Sequence, residues 1–501
     1  MKRPFVVIAA VSLAVSFALL YFEMTGLIIA SASALLAWIV ALFVFRKSHG
    51  KNTNIFIVIP SCIILLLLSA FITLRFSYDT TSRLADSRTS ITATVISEPT
   101  VSSGNKYYSF KGRHPETGQG FKFSAFVDDE RLDIGDKVNL TIDFDNLDHA
   151  YKNHNLSEKI FIKANIRSVN NVTHDADPVY TLLGNLRSFI KKVIFSNSKG
   201  DPAAILTALV TGDRNGISNE LYSATVATGV THFLVVSGLH LSIISGAITN
   251  IFKKLRSGKR IAVFVVFIAI SIMVVICNFH SSAIRSAVMS LILLSAPLIH
   301  RRADSLNSLG FTVTVMITVN PFLAGSAAFI LSVFATFGVI YLAPALFLIL
   351  KELFLGDNPK KLTLNALSVF VVSLSALITI FPISVYYFGV VSLLSPIVTL
   401  LISFAVNAAL VLTLAAIAIS VVPFGNFIAT AVILISSLFA EFIIFIITLF
   451  ARFDFAVLAI DSSLANVFVV ISALFVATVR FIYHKKLKER KMKDAALREE
   501  P

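Results

Sequence analysis

The sequence is poor in charged residues, in cysteine and in the motifs of metal or nucleotide chemistry. Charged residues make up only 14% of its 501 positions, against about a quarter in an ordinary soluble domain. The two cysteines, Cys62 and Cys277, lie inside apolar segments and form no Cys-x-x-Cys pair, which excludes a disulfide-rich secreted domain and a cysteine zinc site. None of the ten histidines belongs to a His-x-His-x-Asp-His cluster, and the sequence contains no Gly-x-x-x-x-Gly-Lys-Ser/Thr loop. We therefore expect no metal, no cofactor, no enzymatic activity and no built-in ATP motor.

The chain is correspondingly rich in long apolar segments. Hydrophobic residues make up 56% of it. They are concentrated in about a dozen blocks of about 20 residues, the length of a helix that crosses the ~30 Å hydrocarbon core. Three blocks lie within residues 1–76, and about nine lie between residues 231 and 483. The pattern predicts a polytopic α-helical membrane protein with about 10–12 spans. We interpret the first block, which follows Lys2 and Arg3, as a retained helix because no convincing cleavage site comes after it.

The positive charge is unevenly distributed. The net charge is +14. If the N-terminus is cytoplasmic, the segments on that side carry fifteen Lys and Arg even without the C-terminal tail, whereas the short outer loops carry only Arg452. This positive-inside asymmetry predicts a multi-pass protein of the cell membrane with both termini in the cytoplasm, including the basic tail 484–501. It also explains most of the net charge without invoking nucleic acid.

Residues 77–180 form a long polar segment after the third apolar block, and the topology places them outside the cytoplasm. Five stretches in it alternate between apolar and polar residues, with Gly, Asn, Asp and Pro between them. These stretches are Ser90–Ser97, Tyr107–Gly112, Gly120–Val127, Lys137–Phe144 and Phe161–Val169. The alternation predicts five short strands in a small extracytoplasmic β-domain. An OB-like barrel is compatible with it, and a sandwich fragment fits nearly as well.

The aromatic residues of these strands have two interpretations. OB-folds bind single strands by stacking bases on aromatic side chains, and Tyr107, Tyr108, Phe121, Phe123 and Phe126 are the candidates. Alternating aromatic residues in strands are, however, more often core residues. The segment carries twelve Lys and Arg against fifteen Asp and Glu, so its overall charge does not attract phosphate.

Residues 181–230 form a mixed amphipathic linker that is too polar to span the membrane. We expect interfacial helices or a segment within a protein-lined cavity. Asp201 is expected to cap one helix and Ser218 the next. Between these helices, the sequence Thr-Gly-Asp-Arg-Asn-Gly predicts a tight turn in which Gly212 and Gly216 are able to take positive φ.

Polar side chains at membrane depth are the further candidates. His240 follows Ser237 and Gly238 in an apolar run, and Arg285 lies about one turn inside its block. Such groups tend to face a bundle interior or a water-filled cavity. The alternatives are that the small residues beside His240 serve helix packing alone, and that Arg285 extends to the interface or pairs internally. Glu441 is another polar residue predicted within the membrane.

Several motifs follow one another along the chain. They are LVTGDR at 209–214, ATGVTHFLVVSGLHLS at 227–242, RSAVM at 285–289, NP at 320–321 with AFILSVFAT at 328–336, and YFGVVS at 387–392. In this order they resemble the signature of the ComEC family of competence DNA channels. Together with the initial spans and the external β-segment, the resemblance covers nearly the whole chain.

The resemblance implies an extracytoplasmic OB-like domain and a membrane helix bundle, here 231–483, that admits single-stranded DNA to the cytoplasm during natural transformation. The residues it assigns to the family motif and to DNA passage are Asp213, Arg214, His232, Ser237, Gly238, His240 and Arg285. It implies single-stranded DNA, membrane lipid, a separate DNA receptor and a cytoplasmic helicase motor as partners, and it leaves a homo-oligomer open. Many members add a C-terminal metallo-β-lactamase-type domain. We expect a form without that domain, served by a separate nuclease.

Two other functions remain as alternatives, namely a small-solute or lipid transporter and a membrane scaffold that transports nothing. A proton-coupled transporter tends to carry several carboxylates near the midplane of the membrane, and Glu441 is the one clear case here. A scaffold does not need His240 and Arg285 at membrane depth. DNA is favoured over a small solute by the resemblance, because composition alone leaves the substrate open.

Overall fold

The computed structural model describes most of the chain, and the structural statements below concern the residues it describes. These are 3–20, 53–102, 105–115, 117–127, 132–147, 152–174, 177–234, 238–256, 258–300, 302–355, 359–453 and 456–499. The chain divides into two compact units. The first comprises Met1–Ile190, Val274–Met289 and Gly310–Phe329, and the second comprises Lys191–Met273, Ser290–Leu309 and Ile330–Pro501.

Helices dominate the described residues. In chain order they are α1 (Pro4–Leu19), α2 (Thr53–Ser82), α3 (Lys152–Ser157), α4 (Pro178–Phe195), α5 (Gly200–Thr211), α6 (Asn219–Ala227), α7 (Gly238–Lys254), α8 (Lys259–Ile276), α9 (Ser281–Ser295), α10 (Ser305–Val319), α11 (Ala327–Tyr341), α12 (Ala343–Phe354), α13 (Lys361–Phe388), α14 (Ser395–Ser420), α15 (Asn426–Ala451) and α16 (Ala465–Glu499). The strands are β1 (Arg88–Val95), β2 (Thr100–Ser102), β3 (Asn105–Arg113), β4 (Gly120–Phe126), β5 (Lys137–Asp145), β6 (Ile160–Thr173), β7 (Val390–Ser392) and β8 (Val457–Ala459).

The protein is a polytopic helical membrane protein. Five of its described helical segments are long and apolar enough to cross a membrane, namely Ser281–Leu298, Lys361–Phe388, Ser395–Ser420, Asn426–Ala451 and Ser462–Lys486. The bent pair α11 and α12 makes a sixth if it counts as one span. This number is below the predicted ten to twelve. Part of the difference comes from apolar helices of the described residues that are shorter than a span, namely Pro4–Phe17, Gly200–Thr211, Arg260–Ile276 and Ser305–Val319. The second predicted span lies outside the described residues.

In the first unit, a sheet closes on itself. β1 pairs with both β3 and β5, and the order β1-β5-β6-β4-β3 returns to β1. Strands β4 and β6 run parallel, and the other described pairs of this sheet are antiparallel. The five long strands coincide with the five alternating stretches, so the strand prediction is confirmed. Inside the closed sheet lie Phe110, Phe123 and Phe144, each almost without exposure, because alternation directs every second side chain inward.

The Asn-Pro motif forms a buried turn in the first unit. The 3-10 turn Pro321–Gly325 packs against α1, α2 and α3. Its central ring, Phe322, lies 5.4 Å from the Phe71 ring of α2 and 6.3 Å from the Phe161 ring of β6. Asn320 Nδ2 donates a hydrogen bond to the Ser157 carbonyl at 2.7 Å. The turn therefore joins the end of the closed sheet to the N-terminal helices.

In the second unit, one apolar span is broken. Helices α11 and α12 differ in direction by 47°. Proline at position 344 has no N–H to donate to the preceding turn, and the N–H of Ala345 turns to the Leu342 carbonyl at 3.1 Å. Arg480 of α16 donates to the Tyr341 carbonyl at 3.3 Å, and its guanidinium lies 4.3 Å from the centre of the Tyr341 ring. A cation thus caps the broken helix end.

Helix α5 lies in the interior of the second unit. Every residue from 203 to 211 is buried, and the helix packs against α14 and α15. Those two helices pack along their length, and Thr413 and Ser436 share a hydrogen bond of 2.7 Å between them. This part of the linker thus lies among protein helices, and its depth in the membrane stays a prediction. A short sheet, β7 with β8, connects the loops beyond α13 and α15.

Candidate functional site

The loop between α5 and α6 is held together by Asp213. Its carboxylate pairs with Lys191 Nζ at 2.6 Å and accepts the Asn215 N–H at 3.0 Å. The Asp213 side chain is only 8% exposed, and an acid so far from water needs a charged partner. From the sequence, Asp213 holds the neighbouring Arg214 or caps the turn. The contact with the Asn215 N–H fits the cap, and the cation beside Asp213 is Lys191, while Arg214 lies half-buried in the loop. The only sequence signal for Lys191 was a positive charge on an amphipathic helix.

Two glycines of this loop are needed for different reasons. Gly212 ends α5 in the left-handed region at φ 76°, as predicted. Gly216 does not take the positive φ that it could adopt. Its lack of a side chain is a packing requirement instead, because a Cβ there would come within 3.2 Å of Ala204 Cβ.

The expected caps are only half right. Ser218 caps α6, and its hydroxyl accepts the Leu221 N–H at 3.3 Å. Asp201 does not cap α5, whose N-cap is Lys199. The Asp201 carboxylate instead accepts both the N–H and the hydroxyl of Ser218, each at 2.8 Å. Asp201 therefore fixes the start of α6 across the loop.

Gly229 is the point where two distant motifs meet. It has φ 69°, and a Cβ on it would lie 2.7 Å from Ser392 Cβ and 2.9 Å from Ser395 Cβ. Its carbonyl accepts the Ser395 hydroxyl at 3.1 Å and lies 3.1 Å from His232 Nδ1. The His232 ring is exposed and rests on Phe233, with 4.4 Å between ring centres. The sequence marked Gly229 and His232 as motif residues but gave no sign of their contact with the chain near 392.

The next motif residues begin α7. Gly238 is its first residue rather than a position inside a longer helix, and Ser237 lies outside the described residues. His240, in the first turn, is completely buried. The small residues of this helix do not share one buried face, since Ser245 is buried and Ser242 is exposed. Among the described residues, no group of three or more His, Cys, Asp or Glu is placed to hold a metal ion.

Arg285 belongs to the first unit, whereas the described motif residues from 213 to 240 belong to the second. The Arg285 side chain is only 6% exposed. Its guanidinium lies 3.4 Å from Ser286 Oγ and 3.8 Å from Met289 Sδ, so it stays within its own helix rather than reaching the surface. Glu441 is exposed on the outside of α15.

The outer face of β3, β4 and β6 carries lysines and aromatic rings that the sequence did not single out together. Lys111 and Lys122 are directly opposite each other on β3 and β4, as are Tyr107 and Phe126, whose rings are 5.9 Å apart. Lys163 Nζ lies 5.9 Å from the Tyr107 ring. Desolvation by burial lowers the pKa of Lys122.

The remaining three candidate aromatics, Tyr108, Phe121 and Phe123, are core residues. Alternation along β3 and β4 therefore separates an apolar interior from a basic, partly aromatic exterior. The segment is slightly acidic as a whole, and this concealed the local clustering of its lysines.

Comparison with known proteins locates the chain among relatives. A family model described as "Competence protein" matches residues 209–485. ComE operon protein 3 of Bacillus subtilis (strain 168) is 28% identical over 254 residues, which cover 50% of this chain and 30% of that protein. The similarity thus spans less than a third of the length of that relative. No solved structure matches the chain.

Proposed function

This chain belongs to the competence protein family, and we propose that it is a cell-membrane component that admits single-stranded DNA to the cytoplasm during natural transformation. The observation that carries the proposal is the family match over residues 209–485. That range contains the loop held by Asp213, the junction at Gly229 and the motif residue His240. In this proposal the bundle from 231 to 483 is the conduit.

A conduit for DNA needs a polar lining, because one charge per nucleotide cannot cross hydrocarbon uncompensated. Ser395, Thr399 and Asn407 are polar residues within the first four turns of α14. Thr399 Oγ1 and Asn407 Oδ1 are buried and have no hydrogen-bond partner among the described residues. Buried polar atoms in this state are costly and call for a functional explanation. A polar passage along α14 would supply their partners.

Arg285 is the cation that we assign to DNA passage. A guanidinium binds phosphate through a planar fork of donors and is always charged. Burial of such a charge in a candidate span is expensive, and a helix that needed it only for anchoring would hold it at an interface. We assign His232 and His240 supporting roles, because they flank the start of α7.

We propose that residues 77–180 form an OB-like domain outside the cytoplasm that receives the strand. The closed five-stranded order and the parallel β4–β6 pair support this assignment. The outer face with Lys111, Lys122 and Lys163 beside Tyr107 and Phe126 offers charge for phosphates and rings for bases. Both termini would face the cytoplasm. A separate receptor, a helicase motor and a separate nuclease would complete the machinery.

Deletion and complementation in a naturally transformable host test the proposal. Deletion of the gene should abolish entry of labelled DNA into the cytoplasm and leave surface binding largely intact. Arg285→Ala should return protein to the membrane but not restore uptake. Arg285→Lys should restore part of it, because it keeps the charge and loses the fork. Arg83→Ala, at an exposed arginine of the same unit, is the matched control.

Uptake is normalised to membrane-inserted protein. Unchanged transformation after deletion would contradict the conduit and favour a scaffold. Equal normalised uptake for the wild type and Arg285→Ala would remove Arg285 from the passage without removing the conduit.

A further inference from the structure

An open groove lies between the start of α8 and the turn that follows α9. Its volume is about 620 Å³. The residues lining it are Gly258, Arg260, Ile261, Pro297, Leu298 and His300. Two of these side chains, Arg260 and His300, are basic and exposed, whereas Ile261, Pro297 and Leu298 are apolar. The groove therefore combines a site for an anion with a site for hydrocarbon.

The groove lies where two apolar helices end. The apolar part of α8 begins at Arg260, and the candidate span that includes α9 ends at Leu298. The ends of membrane helices lie at the boundary between acyl chains and headgroups. Phospholipid is the molecule present at that depth in every membrane, so depth alone favours a lipid over a soluble ligand.

An apolar track leads away from the groove along the outside of α8. Ile261, Phe264, Ile268 and Ile272 follow one another at intervals of three or four residues. Each is between 43% and 63% exposed. Residues at this spacing lie on one helix face, and an exposed apolar face on a membrane helix contacts acyl chains. The track extends from the lining residue Ile261 toward the middle of the helix, as an acyl chain would from its headgroup.

The two chain segments that line the groove are basic and carry no acidic residue. The sequence has no Asp or Glu between Glu220 and Asp304. Lys253, Lys254 and Arg256, at the end of α7, are exposed, and so is Arg302 beyond His300. A zwitterionic headgroup would bring its positive ammonium group close to these basic residues, whereas an anionic headgroup brings only negative charge.

We propose that this groove binds an anionic phospholipid, with the phosphate between Arg260 and His300 and one acyl chain along the Ile261–Ile272 face of α8. The site goes beyond the proposed DNA uptake and does not depend on it. Binding would fix the end of α8 at the membrane surface.

The test uses the full chain in an uncharged detergent, titrated with short-chain phosphatidylglycerol or phosphatidylcholine while thermal unfolding is followed. Phosphatidylglycerol should raise the unfolding temperature at concentrations where phosphatidylcholine does not. The double variant Arg260→Gln with His300→Gln should bind phosphatidylglycerol about tenfold more weakly, the loss expected when charge-assisted contacts worth at least ~1.4 kcal/mol disappear. Lys361→Gln, at the exposed first residue of α13, is the matched control and should leave binding unchanged.

Further measurements test the acyl chain and the headgroup of the lipid separately. Ile261→Ser should weaken binding of phosphatidylglycerol, and soluble glycerol phosphate should bind far more weakly than the lipid. Each variant is first compared with the wild type without lipid, and because Arg260, His300 and Ile261 are exposed, their unfolding temperatures should agree. Equal stabilisation by the two lipids, or glycerol phosphate binding as tightly as the lipid, would overturn the proposal. The proposal would also be overturned if a single-stranded oligonucleotide displaced the lipid from the wild type but not from the double variant. That result would assign the groove to nucleic acid.

Discussion

Replacement of Gly229 by alanine tests whether two distant motifs are held together as a unit. The residue has φ 69°, and a Cβ would lie 2.7 Å from Ser392 Cβ and 2.9 Å from Ser395 Cβ. Cβ atoms do not approach one another this closely in folded proteins. Gly229→Ala must therefore either push β7 and the start of α14 away or turn the backbone out of the left-handed region. Either change disturbs the Gly229 carbonyl that accepts from Ser395.

The magnitude divides into two contributions. An alanine at left-handed φ costs about 1–2 kcal/mol, and an extra methyl group in a filled site costs about 1–3 kcal/mol more. Gly212 is the matched control, because it has φ 76° but no heavy atom within 4 Å of a Cβ. Gly212→Ala should therefore lose only the first contribution, whereas Gly229→Ala should lose about 2–5 kcal/mol in total.

The assay is thermal unfolding of the full chain in detergent, together with DNA uptake normalised to inserted protein. Gly229→Ala should unfold at a lower temperature than Gly212→Ala and should take up less DNA. Ser392→Gly added to Gly229→Ala should recover part of the loss, since it removes the nearest atom. If Gly212→Ala and Gly229→Ala are equally destabilised, or if Ser392→Gly gives no recovery, the contact does not determine the stability of this junction.

Three further predictions follow from other contacts. Lys191→Met should destabilise the chain by about 1–3 kcal/mol in thermal unfolding, because it removes the Lys191 cation from the nearly buried Asp213. Lys192→Met, at an exposed neighbour, should leave the stability unchanged. Equal losses of stability in the two variants would show that the pair of Lys191 and Asp213 does not stabilise the chain. Arg88 and Arg167 lower the pKa of the Asp143 carboxyl well below its usual range. Their stabilisation of β1 and β5 is therefore present above about pH 4 and is lost as the pH falls toward the lowered pKa. Hydrogen exchange of these strands should show that acid dependence, and Asp143→Asn should abolish it. In a chain without its native cysteines, a membrane-impermeant thiol reagent should modify Thr117→Cys but not Lys488→Cys from outside, Thr117 being preferable to Gly118 because Gly118 has φ 68°; the reverse labelling would overturn the orientation.

Local sequence patterns predicted what depends on local periodicity. The strands were predictable because the alternation of apolar and polar residues shows, within a few residues, that one face points inward and the other outward. The Ser218 cap and the turn at Gly212 were predictable because each needs only its own helix end. Span boundaries were harder, because an apolar block does not reveal where a turn breaks it. The bend near Leu342 lies inside a block of apolar sequence.

The contacts of the candidate site were not predictable, because they join residues that are distant in sequence. Asp201 was expected to cap its own helix, but Ser218 folds back and offers it two donors. Asp213 was expected to hold its neighbour Arg214 or to cap the turn. It accepts an N–H within the turn, and Lys191 reaches it from another helix as well. In both cases the residue type predicted the chemistry, because a carboxylate binds hydrogen-bond donors, but it did not predict the partner. The motif around Gly229 likewise indicated importance without indicating Ser395.

The proposed passage has a requirement that limits how basic its lining can be. A row of arginines would bind phosphates tightly, and conduction needs binding that is weak enough to release the strand at each step. Neutral oxygens such as Thr399 Oγ1 and Asn407 Oδ1 can accept hydrogen bonds from water and from base amino groups without trapping phosphate. Arg285, the one buried arginine assigned to DNA passage, can attract phosphate without holding the whole strand. The lysines of β3, β4 and β6 can be several, because salt and water weaken each of their contacts with the strand at the protein surface. If uptake follows this division, changes to the outer lysines should alter capture in a salt-dependent way, and changes along α14 should alter the rate of passage at unchanged capture.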